Sequence, residues 1–223
     1  MRTICGTMSN RMISISTDMM PKFQTDAIGL AVLIFLMGAW FVFASIFLLR
    51  KKAPKLKEAK RAAAANLGIG LQGAAFGIVW TLRRPHWWPF PASIGGELAL
   101  AAAVVALAWL SNFLCWRSLQ ALGKQWTVRA RVVQGHELIT NGPYGMVRNP
   151  IYLGMFGLMV ATGLAVCRWW ALVVAVFIFL VGNWIRIRAE ERLLREAFGS
   201  RFDDYARRVP AFVPSIYGRV SRK

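Results

Sequence analysis

The chain has 223 residues and a formal net charge of +18, and it is 57% hydrophobic while only 17% of it is charged. Such an apolar chain is excluded from disorder, and a soluble nucleic-acid binder this basic would carry far more charge and less apolar surface. An integral membrane protein whose basic residues lie in its loops satisfies both constraints.

Residues 1–25 are polar and irregular and lack the continuous apolar core of a cleaved signal peptide. A first span is predicted over 27–49, ending at Arg50-Lys51-Lys52. A second apolar stretch, 62–82, is rich in Ala and Gly and ends at Arg83-Arg84. Its Gly68, Gly70, Gly73 and Gly77 suit close helix approach, with Gly73 and Gly77 forming a small-xxx-small pair. A third span is predicted over 92–116. The segment 117–150 does not span. Two short apolar runs follow, 151–166 and 169–185, about 24 and 26 Å long as helices. They read as a tight hairpin turning at Cys167-Arg168, with Trp169 and Trp170 at the membrane interface. The expected architecture is therefore an all-α, polytopic transmembrane helical bundle of about five spans with a cytoplasmic cofactor pocket. Its parts are an N-terminal segment 1–25, three transmembrane helices in 26–116, a cytoplasmic cofactor-binding segment 117–150, a transmembrane hairpin 151–185 and a cytoplasmic tail 186–223 that completes the active site.

Charge sets the orientation. Loop 50–61, segment 117–150 and tail 186–223 hold 22 of the 28 Lys and Arg residues, and five spans place all three on one face. Basic loops stay in the cytoplasm, so the C-terminus is expected there, in the cytoplasmic membrane of a bacterium. The basic loop 50–61 attracts anionic membrane lipid, and no nucleic-acid partner is expected. Cys5, Cys115 and Cys167 are odd in number and widely spaced, which fits neither a disulfide framework nor a metal site.

Two polar stretches carry the unusual residues. In the first, Asn141-Gly142-Pro143 is a turn signal, and Pro150 stands where the fourth span begins, a position that tolerates proline. The free N–H groups of that helix start favour an anionic group nearby. In the second, Arg186 and Glu190 are four apart and share a helix face at the cytoplasmic end of the fifth span, with Glu191 one step round.

The order His136, Leu138-Ile139, Gly142-Pro143-Tyr144, Arg148-Asn149-Pro150-Ile151-Tyr152, then Arg186, Glu190-Glu191, Phe198-Gly199 and Tyr205 to Pro210 resembles the isoprenylcysteine carboxyl methyltransferase family of integral membrane enzymes. The resemblance covers roughly residues 117–214. It implies S-adenosylmethionine as methyl donor, held by His136, Glu137, Leu138, Ile139, Tyr144, Asn149, Pro150, Ile151, Tyr152 and Glu190. It implies Arg186 as the residue at the methyl acceptor, a lipophilic small molecule or lipidated substrate. No metal is implied. The residue types suit those roles. Tyrosine faces attract a sulfonium, a carboxylate holds ribose hydroxyls or faces the donor's cationic end, and arginine holds a carboxylate with paired hydrogen bonds. Asn149 stands where the family usually has His, and an amide donates and accepts hydrogen bonds without carrying charge. Two alternatives remain at this stage: a membrane NADPH-dependent sterol-type reductase, and a non-catalytic membrane protein of the same fold.

Overall fold

A computed structural model describes residues 27–49, 63–84, 94–123 and 138–213. Among these residues the chain is helical: α1 (Ala27–Leu48), α2 (Ala63–Thr81), α3 (Ile94–Leu122), a 3₁₀ turn (Gly142–Gly145), α4 (Pro150–Val166), α5 (Trp169–Phe198) and α6 (Ser200–Arg208). The expected all-α architecture is what the structure has. Three helices, α1, α3 and α5, are long and apolar enough to cross a membrane. At 22, 29 and 30 residues they measure about 33, 44 and 45 Å. Helix α4 is apolar but has 17 residues, and α2 has 19, diluted by Asn66, Gln72 and four glycines. The chain is an integral membrane protein, with large apolar side chains such as Ile34, Phe35, Phe41, Leu110 and Phe177 turned outward. In water such a surface would be a liability; against lipid it is the expected one.

Two apolar clusters share α4. One joins Val32, Leu36 and Ala39 of α1 to Val104 and Ala108 of α3 and to Leu158 and Ala161 of α4. The other joins Ala75 and Val79 of α2 to Met159 of α4 and to Ala171, Ala175 and Phe179 of α5. Small residues dominate both, because without a hydrophobic drive between helices the packing rests on close approach. In the first cluster Trp40 donates to Thr162 Oγ1 at 3.1 Å, and Asn112 donates to the Ala39 carbonyl at 2.8 Å.

The glycine expectation for α2 needs correction. Gly70, Gly73 and Gly77 have open space where a side chain would stand. Gly68 alone among these four sits at a helix crossing: a Cβ there would fall 2.6 Å from the Gly182 carbonyl oxygen of α5. Spacing identified the residue type but not the helix face that meets a neighbour. A comparable crossing joins α3 to α4, where a Cβ on Gly154 would fall 2.8 Å from the Ser111 carbonyl.

The hairpin turn at Cys167-Arg168 is present, with Trp169 and Trp170 exposed at its tip. Arg84 fastens it. Its backbone N–H donates to Val166 O at 3.0 Å, and its guanidinium donates to the carbonyls of Leu164, Ala165 and Cys167. These are the orphan carbonyls at the end of α4, which a cation satisfies best. Helix α5 does not stop near Ile185. It runs unbroken to Phe198, so Arg186 and Glu190 ride on the same rigid rod as the span rather than on a tail. It ends at Gly199, whose φ of 52° places it in the left-handed region that glycine enters without strain.

Candidate active site

The inner faces of α4 and α5 meet where both helices pass out of the apolar clusters. Pro150 opens α4 at its first turn, as expected. That start fixes Tyr152 two residues on, buried to 7% exposure. From α5, Arg186 is equally buried and Glu190 lies one turn beyond. The three converge. The Tyr152 hydroxyl donates to Glu190 Oε1. Arg186 Nη2 lies 3.4 Å from the same oxygen. The Arg186 guanidinium also stands over the Tyr152 ring, 4.6 Å from its centroid. One face of Tyr152, offered by its residue type to a sulfonium, therefore carries an arginine.

Two buried amides complete this cluster, and neither carries a motif signal. Gln72 of α2 accepts from Arg186 Nη1 at 3.0 Å, and its own Nε2 donates to Asn183 Oδ1 at 3.2 Å. Both amides are 2% exposed. The available clue was polarity alone: a lone Gln in an apolar helix needs a partner.

A second group is tied to the first through the chain just before α4. Arg148 pairs with Glu191, Nη2 to Oε1 at 2.7 Å, and donates to the carbonyls of Ala206 and Val209 at the end of α6. Glu191, one helical step from Glu190, thus serves a different partner. Asn149 donates from Nδ2 to Ala211 O at 2.9 Å. That contact asks only for a neutral donor, so the amide suits its place. Tyr144 is buried in the 3₁₀ turn that Gly142 opens at φ 58°. Its carbonyl accepts from the Tyr205 hydroxyl at 2.7 Å. Burial pushes that hydroxyl up to about 12, against the opposing pull of Arg148, so it remains a donor.

Of the residues singled out in the sequence, Tyr152, Arg186 and Glu190 are in direct contact. Tyr144, Asn149 and Pro150 hold the adjoining turn and helix start, and Ile151 is half-buried in the first turn of α4. Leu138 and Ile139 are half-buried in the strand of chain leading to the turn. His136 and Glu137 lie outside the described residues. Beside the cluster a cleft of about 590 Å³ opens between α5 and the chain after α6, lined by Asn183, Trp184, Ile187, Arg148, Glu191 and Phe212 among others. That volume is in the range of small-molecule sites. Among the described residues, no three His, Cys, Asp or Glu side chains are grouped to hold a metal ion.

Residues 99–201 match the phospholipid methyltransferase family. The chain is 30% identical over 139 residues to protein-S-isoprenylcysteine O-methyltransferase B of Arabidopsis thaliana, covering 60% of this chain and 63% of that protein. It is 39% identical over 107 residues to the cobalt-zinc-cadmium resistance protein CzcN of Cupriavidus metallidurans, covering 44% and 46%. It is 32% identical over 89 residues to protein-S-isoprenylcysteine O-methyltransferase of Saccharomyces cerevisiae, covering 40% and 37%. The chain thus spans between about a third and two thirds of the length of these relatives. The resemblance to isoprenylcysteine methyltransferases read from the motifs is borne out.

Proposed function

We propose that this chain is an integral membrane methyltransferase that moves a methyl group from S-adenosylmethionine to a lipophilic acceptor, with an isoprenylcysteine-like carboxylate as the acceptor class. The observation that carries this reading is the buried cluster of Tyr152, Arg186 and Glu190, assembled from two helices inside the segment that matches a methyltransferase family. The named methyltransferase relatives support it over an NADPH-dependent reductase or a non-catalytic protein.

The residues fit the donor's chemistry. Glu190 is a carboxylate held among a hydroxyl and a guanidinium, suited to ribose hydroxyls or to a cationic centre. Leu138 and Ile139 suit the flanks of an adenine ring, whose edge a backbone N–H and C=O can bond; His136, Glu137, Tyr144, Asn149, Pro150 and Ile151 complete the proposed donor site. When bound, S-adenosylmethionine supplies an electrophilic methyl on a sulfonium. Arg186 orients the acceptor carboxylate by charge-assisted hydrogen bonds. Displacement at a methyl needs alignment above all, and positioning supplies about 7–11 kcal/mol of such barriers. An acceptor that is already an anion needs no general base. The proposed pocket faces the cytoplasm of a bacterium, with Arg186 and Glu190 carried into it by the end of α5, and the acceptor enters from the bilayer.

Titration with S-adenosylhomocysteine in detergent tests the reading. Saturable binding that weakens by about tenfold or more in Glu190→Ala supports it. Binding of NADPH without binding of S-adenosylhomocysteine overturns it.

A further inference from the structure

We infer that Gln72, on α2, is a positioning residue for Arg186. It holds the guanidinium in the plane that faces Tyr152 and Glu190, and so sets how tightly an acceptor carboxylate is bound. The second half of that statement rests on the methyltransferase reading; the first does not. Gln72 lies outside the segment 99–201 that matches the methyltransferase family, on a helix with none of the motifs.

The geometry is built from the helix crossing outward. Gly68 and Gly182 let the α2 and α5 backbones approach so closely that a Cβ on Gly182 would fall 2.9 Å from Gly68 O. Gln72 lies one turn beyond Gly68, and Arg186 one turn beyond Gly182. The end of α2 meets the start of α5, where Arg168 N–H donates to Leu82 O, so the helices run antiparallel and the two residues leave the crossing in opposite directions. The long Arg186 side chain passes Gly68, where a Cβ would strike its Cγ, and so reaches back to the amide. Gln72 is oriented at both ends: its Oε1 accepts from Arg186 Nη1, and its Nε2 donates to Asn183 Oδ1. An amide that only filled space would not need a second amide to fix its rotation. Asn183 reads the amide end, so Gln72 is held with oxygen toward the arginine.

This arrangement also resolves a competition. Arg186 already contacts Glu190, and its planar fork has five donors. Left to Glu190 alone, the guanidinium would be drawn toward that carboxylate. With Nη1 tethered to Gln72 on the far side, the contact to Glu190 remains a long 3.4 Å, and the plane stays over the Tyr152 ring. A neutral tether does this without cancelling the arginine's charge, which a carboxylate at position 72 would do.

The test uses the full chain in lipid nanodiscs, with Gln72→Met and Gln72→Asn set against wild type. Methionine keeps the length and removes the polar atoms; asparagine keeps the amide but shortens it. The first readout is phenylglyoxal modification of Arg186, followed by mass spectrometry. Modification in Gln72→Met is expected to be about fivefold faster than in wild type, the value of one ordinary hydrogen bond, with Gln72→Asn in between. The second readout is methyl transfer to a farnesylcysteine carboxylate. KM for this acceptor rises by about fivefold in Gln72→Met while kcat and S-adenosylhomocysteine affinity hold. Equal labelling of Arg186 in all three proteins overturns the proposal. A parallel loss of kcat, acceptor KM and S-adenosylhomocysteine affinity also overturns it, since that marks a packing role. If labelling shifts as expected but wild type binds no S-adenosylhomocysteine, the tether stands and the methyltransferase reading fails. Should Gln72→Met not fold, Asn183→Ala carries the same test, because it frees the Gln72 amide to turn.

Discussion

The bundle contains two glycine crossings that use the same device for different ends. At α3–α4, Gly154 and Gly157 seat against Ser111 and Cys115, and beside them lies the apolar cluster of Leu158, Ala161 and Val104. At α2–α5, Gly68 and Gly182 seat against each other, and beside them lie Gln72, Asn183 and Arg186. Close approach is worth packing energy in both places. Only at the second does it also deliver buried polar groups to a charged cluster. A helix crossing next to a site thus acts as part of the site, even when its own residues carry no chemistry.

The largest expected effect comes from filling the crossings. Gly68→Leu and Gly154→Leu each push a side chain into backbone, at a cost of about 1–3 kcal/mol or more. Both should lower the unfolding temperature in detergent. The comparison predicts a split in function: Gly68→Leu abolishes S-adenosylhomocysteine binding, whereas Gly154→Leu retains it in the protein that folds. Equal retention in both would remove the distinction between the two crossings.

The next effect separates the two acidic neighbours on α5. Arg148→Met leaves Glu191 without its ion pair and the Ala206 and Val209 carbonyls without their donor. Losing charged hydrogen bonds of this kind costs about 1.5–3 kcal/mol. The loss should be local: α6 amides exchange faster by hydrogen exchange, while α2 and α5 amides near Gln72 do not change. Uniform acceleration across the bundle would show that the α6 dock and the Arg186 cluster form one cooperative unit.

How much of this was legible in the sequence follows from how local each rule is. Pro150 at the first turn of α4, the turn at Gly142-Pro143, and the shared face of Arg186 and Glu190 depend on a few neighbouring residues, and all three are present. The polar cluster was half legible. Tyr152 and Glu190 were marked by motif, but Gln72 meets Arg186 across 114 positions, through a crossing whose contact face no spacing rule picks out. The same reason defeats Gly73 and Gly77, which have suitable spacing on a face that meets open space. Arg148 was in the motif without a role, because its partners Glu191, Ala206 and Val209 are known only once α6 folds back. The length of α5 was hidden by composition: charge begins at Arg186, but the helix continues because its residues are good helix formers and the apolar span has already nucleated it.

The smallest effect tests whether the α6 dock is uncoupled from the membrane core. Tyr205→Phe removes one hydrogen bond, to Tyr144 O, for about 0.5–1.5 kcal/mol at neutral pH. Its pH dependence is more telling. In the folded chain burial raises the hydroxyl to about 12, above the ordinary value of 10. The folded state therefore keeps a proton that the unfolded state has lost. The stabilisation is fully present below pH 10 and is lost as pH rises from 10 through 12. Wild type should lose stability over that window, and Tyr205→Phe, which has no proton to lose there, should show a shallower fall. The difference between the two curves isolates this hydroxyl from the many basic side chains that titrate nearby. Read by protection of α6, that difference should appear in full; read at the Trp40–Thr162 contact of the α1–α4 cluster, it should vanish. A matching difference at both places would join the two regions that the helix crossings otherwise set apart.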